Sequence, residues 1–281
     1  MQLILISGQS GSGKSIALRA LEDSGFYCVD NLPATMLSEA MALYQDYGFE
    51  HIGISVDVRS SPSLGALPHE MRKLREQGVD VRLLFLEAQD DTLVKRFSET
   101  RRRHPLAGNG LLTINECILA EKDMLASIQE LGARFDTTDL VPNSLRSWVK
   151  DLVSADSSRL TLVLQSFGFK HGVPLDLDFA FDVRCLPNPY YVPELRPLTG
   201  CDQPVIDYFQ QEPAVAEMTE DIHRIIARWL PCFSQESRSY LTVAIGCTGG
   251  QHRSVYIAEQ LAQRFSDQQV IIRHRQLQHA E

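Results

Sequence analysis

Gly8-Gln9-Ser10-Gly11-Ser12-Gly13-Lys14-Ser15 matches the phosphate-loop pattern G-x-x-x-x-G-K-[ST] at every fixed position. The apolar run Leu3-Ile4-Leu5-Ile6 precedes it and an amphipathic stretch follows, so it joins a buried strand to a helix. Glycines let the backbone curl until successive N–H groups face phosphate oxygens. The helix beginning near Lys14 adds its positive end. In this pattern Lys14 reaches the β and γ phosphates and the Ser15 hydroxyl ligates Mg²⁺, so the segment predicts binding of a nucleoside triphosphate.

Working outward, short apolar runs alternate with amphipathic stretches through the first half. Strands are expected over 3–7, 26–30, 52–58 and 81–86, and helices over 15–23, 35–47, 68–77, 91–102, 113–131 and 144–153. Such alternation predicts an α/β fold whose parallel sheet carries helices on both faces. Asp57 closes a strand run and is a Walker B-like carboxylate, placed to meet the metal beside Ser15 and to act catalytically with Lys14. Asp30 closes its run in the same way, and either aspartate is otherwise an N-cap or turn residue. Arg59 faces phosphate or solvent. The run Arg101-Arg102-Arg103-His104 is either a lid over the phosphates or a solvated helix end.

The polar stretch at 154–158 divides the chain into an expected P-loop NTPase domain over 1–153 and a second α/β domain over 159–281. In the latter, strands are expected over 160–165 and 240–245 and helices over 214–229 and 255–265, while 168–204 is too rich in Pro and Gly to assign. The strand–loop–helix pattern recurs at Cys247-Thr248-Gly249-Gly250-Gln251-His252-Arg253-Ser254. The spacing Cys-x₅-Arg-Ser is that of tyrosine phosphatase loops, where a thiolate sits among backbone amides. Gly246 replaces the histidine usual there and no general-acid loop is evident, so an anion or sugar-phosphate pocket is favoured over cleavage, with a plain turn as the remaining reading. Lys170, His171, Asp182, Arg184, Asn188, Tyr190, Arg196 and Thr199 are candidate lining residues.

Composition sets outer limits. The 281 residues are 44% hydrophobic and 22% charged, with net charge −9 from 27 Lys plus Arg against 36 Asp plus Glu. That excludes global disorder and a bulk nucleic-acid coat. Six scattered cysteines without a Cys-x-x-Cys pair argue against a structural zinc site or a disulfide framework. The apolar start is too short for a leader or membrane span, so a soluble cytoplasmic protein is expected.

With both loops in hand, the chain resembles the RapZ/YvcJ family. The resemblance rests on residues 7–15 and 17–23, on Gly25-Phe-Tyr-Cys-Val-Asp-Asn-Leu-Pro33, and on Asp57-Val58-Arg59. It continues through Ser166-Phe-Gly-Phe-Lys-His-Gly172, Phe181-Asp-Val-Arg184, Leu186-Pro-Asn-Pro189, Arg196-Pro-Leu-Thr-Gly200 and residues 244–250 and 252–259. It implies ATP and GTP binding with weak hydrolysis, the ATP loop falling on 8–15 and a guanine-nucleotide segment on Asp57-Val58-Arg59-Ser60. It also implies sensing of glucosamine-6-phosphate by the second domain, around Cys247 to Arg253, and contact with a small RNA and RNase E. The family's basic RNA-binding tail is thinner here: residues 272–281 hold two arginines, two histidines and no lysine, which predicts weaker and more salt-sensitive RNA binding or a different partner. Tyr190 stands where enterobacterial members carry histidine. A regulatory adapter is therefore the leading expectation, expected as a homo-oligomer. A P-loop small-molecule kinase using Asp30 as base or substrate ligand with Arg101–Arg103 as its lid, and a Cys247 phosphatase, are the alternatives.

Overall fold

Leu3, Ile4, Leu5 and Ile6 are at most 1% exposed, so β1 (Gln2–Gly8) is covered on both faces. A parallel sheet between helices supplies that cover. The computed structural model describes residues 1–108, 112–155, 160–235 and 240–277, and the chain divides into two units, Met1–Ser154 and Ala155–Glu281.

In the first unit β1 leads to α1 (Lys14–Glu22), β2 (Tyr27–Val29), α2 (Leu37–Asp46) and β3 (His51–Ser55). There follow α3 (Ser61–Leu64), α4 (Leu67–Glu76), β4 (Asp80–Glu87), α5 (Asp90–Thr100), α6 (Ile114–Gln129), β5 (Ala133–Asp136) and α7 (Pro142–Ser154). The strands lie in the order β2-β3-β1-β4-β5, all parallel. The chain fills one side of β1 first and then crosses to the other. The loop leaving β1 thus opens at the point where the strand order reverses, the usual ligand position in such sheets. Leu3, Leu5, Ile52, Ile54, Leu83 and Phe85 pack with Leu37, Met41, Met71 and Leu74 of α2 and α4. By the two-residue alternation of a strand, Ile4 and Ile6 turn to the opposite face.

The second unit runs β6 (Thr161–Gly168), β7 (Phe179–Asp182), α8 (Gln203–Gln210), α9 (Pro213–Gln235), β8 (Tyr240–Cys247), α10 (Arg253–Arg264) and β9 (Gln269–His274). Its parallel order is β7-β8-β6-β9. Leu162, Leu164, Val243 and Ile245 form one cluster with Phe209, Ile226, Ile257 and Leu261.

The α/β architecture with parallel sheets is as the alternation predicts. The differences have physical causes. β5, β7 and β9 went unread, and each is an edge strand that carries charge, so none presents a continuous apolar run. Residues 34–36 form a separate 3₁₀ turn before α2. β3 ends at Ser55 rather than running to 58, because Asp57 caps a 3₁₀ turn by accepting from the Arg59 amide at 2.9 Å. α8 lay in the unassigned tract's wake, and α9 continues through Pro231 to Gln235. The supposed tail is partly folded: Arg273 lies in β9 and Arg275 just beyond, both buried, while 278–281 fall outside the described residues, as do 156–158 of the polar boundary stretch. Among the described residues no helix is long and apolar enough to cross a membrane.

Trp148 of α7 is 1% exposed, with its ring 6.3 Å from that of Phe135. Trp148→Ala is expected to cost about 3–5 kcal/mol in urea unfolding followed by circular dichroism. A loss below about 1 kcal/mol would show that the first unit does not depend on this core contact.

Candidate functional site

Two backbone positions explain the first loop. Gly8 has φ +132°, and a Cβ there would fall 2.0 Å from the Leu86 carbonyl oxygen of β4. Gly13 has φ +104° and lies against Leu145 of α7, where a Cβ would meet a methyl at 2.8 Å. Only glycine suits either place. Lys14 Nζ donates to the Gly8 and Gln9 carbonyls at 2.7 and 3.0 Å, folding the ammonium across the loop. Burial pushes Lys14 below its ordinary value, although Glu121 and Asp57 pull the other way. The first amides of α1 have no intrahelical acceptor, which leaves them for an anion. Ser15 is exposed, whereas the Ser12 hydroxyl is buried and has no partner among the described residues.

The loop is braced from four sides. The Gln9 amide donates to Leu86 O at 3.0 Å, and Gln9 Oε1 accepts from the Ala88 amide at 2.9 Å. Arg96 Nη1 donates to Gly11 O at 3.0 Å, and Thr137 Oγ1 to Ser12 O at 2.9 Å. The Ser10 amide and hydroxyl donate to the two carboxylate oxygens of Glu121 at 2.8 and 2.7 Å. Glu121, wholly buried, also lies 3.1 Å from His104 Nε2. His104 Nδ1 accepts from the Leu106 amide at 3.2 Å, so Nε2 carries the proton and donates to Glu121. Burial alone would raise the Glu121 carboxyl, but the hydrogen bonds from His104 and Ser10 and the Lys14 charge outweigh it and hold it below the usual range.

Asp57 is also buried, and both its oxygens are engaged by Arg59: Nε reaches them at 3.1 and 2.9 Å, and Nη2 donates to Oδ2 at 2.7 Å. Burial raises the Asp57 carboxyl, yet the bonds from Arg59 and the Lys14 charge keep it lowered. Asp30, half exposed, accepts from the Ser55 hydroxyl and lies 3.7 Å from Arg59 Nη2. Ser60 Oγ donates to Asn31 Oδ1 at 3.1 Å, and Val58 is buried. Lys14, Asp57, Arg59 and Asp30 therefore form one charged group beside the loop.

At the second loop, Cys247 Sγ accepts from the Gly250 amide at 3.2 Å and lies 3.1 Å from Ser254 Oγ. Burial raises the thiol, but bonds from Ser254 and Gly250 and the Arg253 charge outweigh burial and lower it. The Lys170 amide donates to Thr248 O at 3.2 Å, and its exposed Nζ comes to 3.9 Å from where a Gly249 Cβ would stand. Asp182 and Arg184 repeat the Asp57–Arg59 geometry: Nε lies 3.0 Å from both oxygens and Nη2 donates to Oδ2 at 2.7 Å. The Arg184 guanidinium also lies 4.0 Å from the Phe169 ring centroid. Arg253 faces inward instead. Its Nη1 donates to the Arg184 and Leu186 carbonyls at 2.8 and 3.1 Å, and Nη2 to Thr248 Oγ1 at 3.2 Å. His252 lies 3.1 Å from the Leu195 carbonyl. Asn188 accepts from the Tyr190 amide, and Arg196 stacks 4.8 Å from the Tyr190 ring, so these three group with one another.

Residues 1–157 match the family model of the RapZ-like N-terminal domain, and residues 160–278 match that of the RapZ C-terminal domain. The chain belongs to the RapZ family. A protein of Chromobacterium violaceum named "Nucleotide-binding protein" is 69% identical over 99% of both chains. A nucleotide-binding protein of Azoarcus sp. is 58% identical over 98% of this chain and 94% of its own. Among solved structures, shikimate kinase from Bacteroides thetaiotaomicron aligns with 54% of this chain and 98% of its own at 14% identity and a TM-score of 0.39, too slight a likeness to say anything of substrate.

In this RapZ-family chain Glu121, Arg96 and Thr137 belong to none of the sequence motifs. Glu121 had a signal: it lies on the buried stripe of α6 with Cys117, Ile118, Leu125 and Ile128, where a carboxylate needs partners. Arg96 and Thr137 had none, because their roles exist only once α5 and β5 reach the loop. Glu121, with its carboxyl lowered in the folded state, contributes stability that is present above the ordinary carboxylate range and lost as the pH falls through the lowered value. Glu121→Gln is expected to cost about 1–3 kcal/mol at neutral pH. Urea midpoints of both proteins should converge as the pH is taken below about 4, whereas a constant gap would mean that Glu121 is not ionised.

Proposed function

We propose that the protein is an ATP- and GTP-binding regulatory adapter with weak NTPase activity. The observation that carries this reading is the curled loop at 8–15, closed on its own carbonyls by Lys14 and braced by Glu121 and Arg96. The names of the Chromobacterium and Azoarcus relatives agree with the nucleotide-binding part of it. Mg²⁺ suits the oxygen donors beside the loop: Ser15 would hold it, with Asp57 or Asp30 acting through water, and the ion would neutralise phosphate charge. Asp57, with both oxygens on Arg59, is a poor base for an attacking water, which favours slow turnover. Unassisted hydrolysis on the order of 10⁻³–10⁻² s⁻¹ fits a loop of this class.

In the second unit, Lys170 over Gly249 and the Arg184 guanidinium suit a sugar phosphate, and glucosamine-6-phosphate is the ligand we propose. Phosphatase action fits less well, because Arg253 is turned to backbone carbonyls. Contact with a small RNA and RNase E belongs to the same reading. With Arg273 and Arg275 buried, it would have to use other cations. We also propose a cytoplasmic homo-oligomer.

A small-molecule kinase is the second reading. It is favoured by the chain from Ser10 through Glu121 to His104, which anchors Arg101–Arg103 at the loop. Three measurements on the full-length protein test the readings. Lys14→Ala should weaken Mg-ATP and Mg-GTP binding about 100-fold or more by calorimetry, a change of about 2.7 kcal/mol. Glucosamine-6-phosphate should bind the wild type and fail to bind Lys170→Ala. Unchanged nucleotide affinity in the first variant would refute the nucleotide site. Transfer of γ-phosphate to an amino sugar, seen by mass spectrometry, would replace the adapter with the kinase.

A further inference from the structure

Away from both loops, Cys201, Glu259 and His274 each present one donor atom, and the three donors lie within 4.8 Å of one another. They come from separate elements: the turn after Gly200, the middle of α10 and the end of β9. His274 Nε2 lies 2.9 Å from Glu259 Oε1, which by itself is an ordinary ion pair or hydrogen bond.

Three further features exceed that plain pair. His274 Nδ1 lies 2.8 Å from the Oγ of Ser166, a fully buried residue of β6. Metal-binding imidazoles are held in this way, through the ring nitrogen that does not ligate. The turn bearing Cys201 is hydrogen-bonded within itself and pressed onto the start of α10. The Gly200 amide donates to Gln251 O at 2.9 Å, and a Cβ there would meet His252 O and the Tyr256 nitrogen at 2.4 Å, so glycine alone permits the approach. Thr199 donates its amide and hydroxyl to Asp202 Oδ2 at 2.7 and 2.8 Å, and the Cys201 amide donates to Thr199 Oγ1 at 3.3 Å. Finally, the Glu259 and Asp202 carboxylates both face the Cys201 thiol, and their negative charge draws a cation.

We propose that Cys201, Glu259 and His274 form a binding site for a divalent transition-metal ion, zinc being best suited to one sulfur, one nitrogen and one oxygen donor. Binding releases the thiol proton to solvent as the thiolate joins the metal. Three protein ligands leave the fourth tetrahedral position to water or an added ligand, and the exposed Cys201 gives access. The ion would tie the edge strand β9 to α10 and to the turn at 199–202. No Cys-x-x-Cys spacing announces such a site, because its ligands are far apart in sequence. It is independent of the nucleotide reading, whose metal prefers oxygen donors alone.

The test is a cobalt titration of the full-length, tag-free protein without nucleotide and with excess Mg²⁺ to occupy oxygen-only positions. One equivalent of Co²⁺ should produce a thiolate-to-cobalt charge-transfer band that Zn²⁺ removes. Cys201→Ser should abolish the band and weaken zinc at least ~10-fold, while Cys232→Ser, at another exposed cysteine, should leave both unchanged. Zinc should also raise the melting temperature of the wild type and not that of Cys201→Ser. Absence of the band, or a band or zinc-induced rise that survives Cys201→Ser, would overturn the proposal.

Discussion

A loop of amides that is to hold an anion must be held open before the anion arrives, or its ordering entropy is charged against binding. In this protein the constraint is met by Glu121. Its ionised carboxylate, buried at the loop's base, takes the amide and hydroxyl of Ser10 and the Nε2 proton of His104. A buried carboxylate lowers stability unless its oxygens are fully engaged. Here three donors and the nearby Lys14 charge do that, so the acid and the loop fix one another. Arg96 of α5 and Thr137, the residue after β5, also brace this turn.

The second unit builds a similar turn with different residues. Its glycine-rich turn also leaves a central parallel strand and enters a helix, and the neighbouring strand again leads into Asp-Val-Arg with the arginine folded onto the aspartate. In both units the pair places a guanidinium beside a glycine-rich loop while neutralising it. The two differ at the loop itself. The first closes on an ammonium, whereas the second closes on a thiol lowered by two hydrogen bonds and an arginine.

What was readable in advance follows apolar runs more than burial, since the half-exposed edge strand β2 was also legible. β1, β3, β4, β6 and β8 are covered on both faces and show as apolar runs. The edges β5, β7 and β9 lack that signature, and misreading β9 made Arg273 and Arg275 look like a free basic tail when they are buried. Glu121 was half legible, as a carboxylate on an apolar stripe. Asp57 was found by its place after a strand, but its lock on Arg59 was not, because a two-residue ion pair follows from backbone turn geometry rather than from composition.

The sequence by itself determined the phosphate-type loop, the alternation that makes a parallel α/β sheet, and the recurrence of strand, glycine-rich turn and helix near the end. These are local patterns, written in residues that are adjacent or a helical turn apart. Only the tertiary structure decided which carboxylate braces the loop, that Arg253 and His252 face inward to backbone carbonyls, and that Cys201, Glu259 and His274 converge. Each of those depends on elements far apart in the chain meeting at one edge of a sheet. The order of the strands sets that meeting, and no short stretch of sequence encodes it.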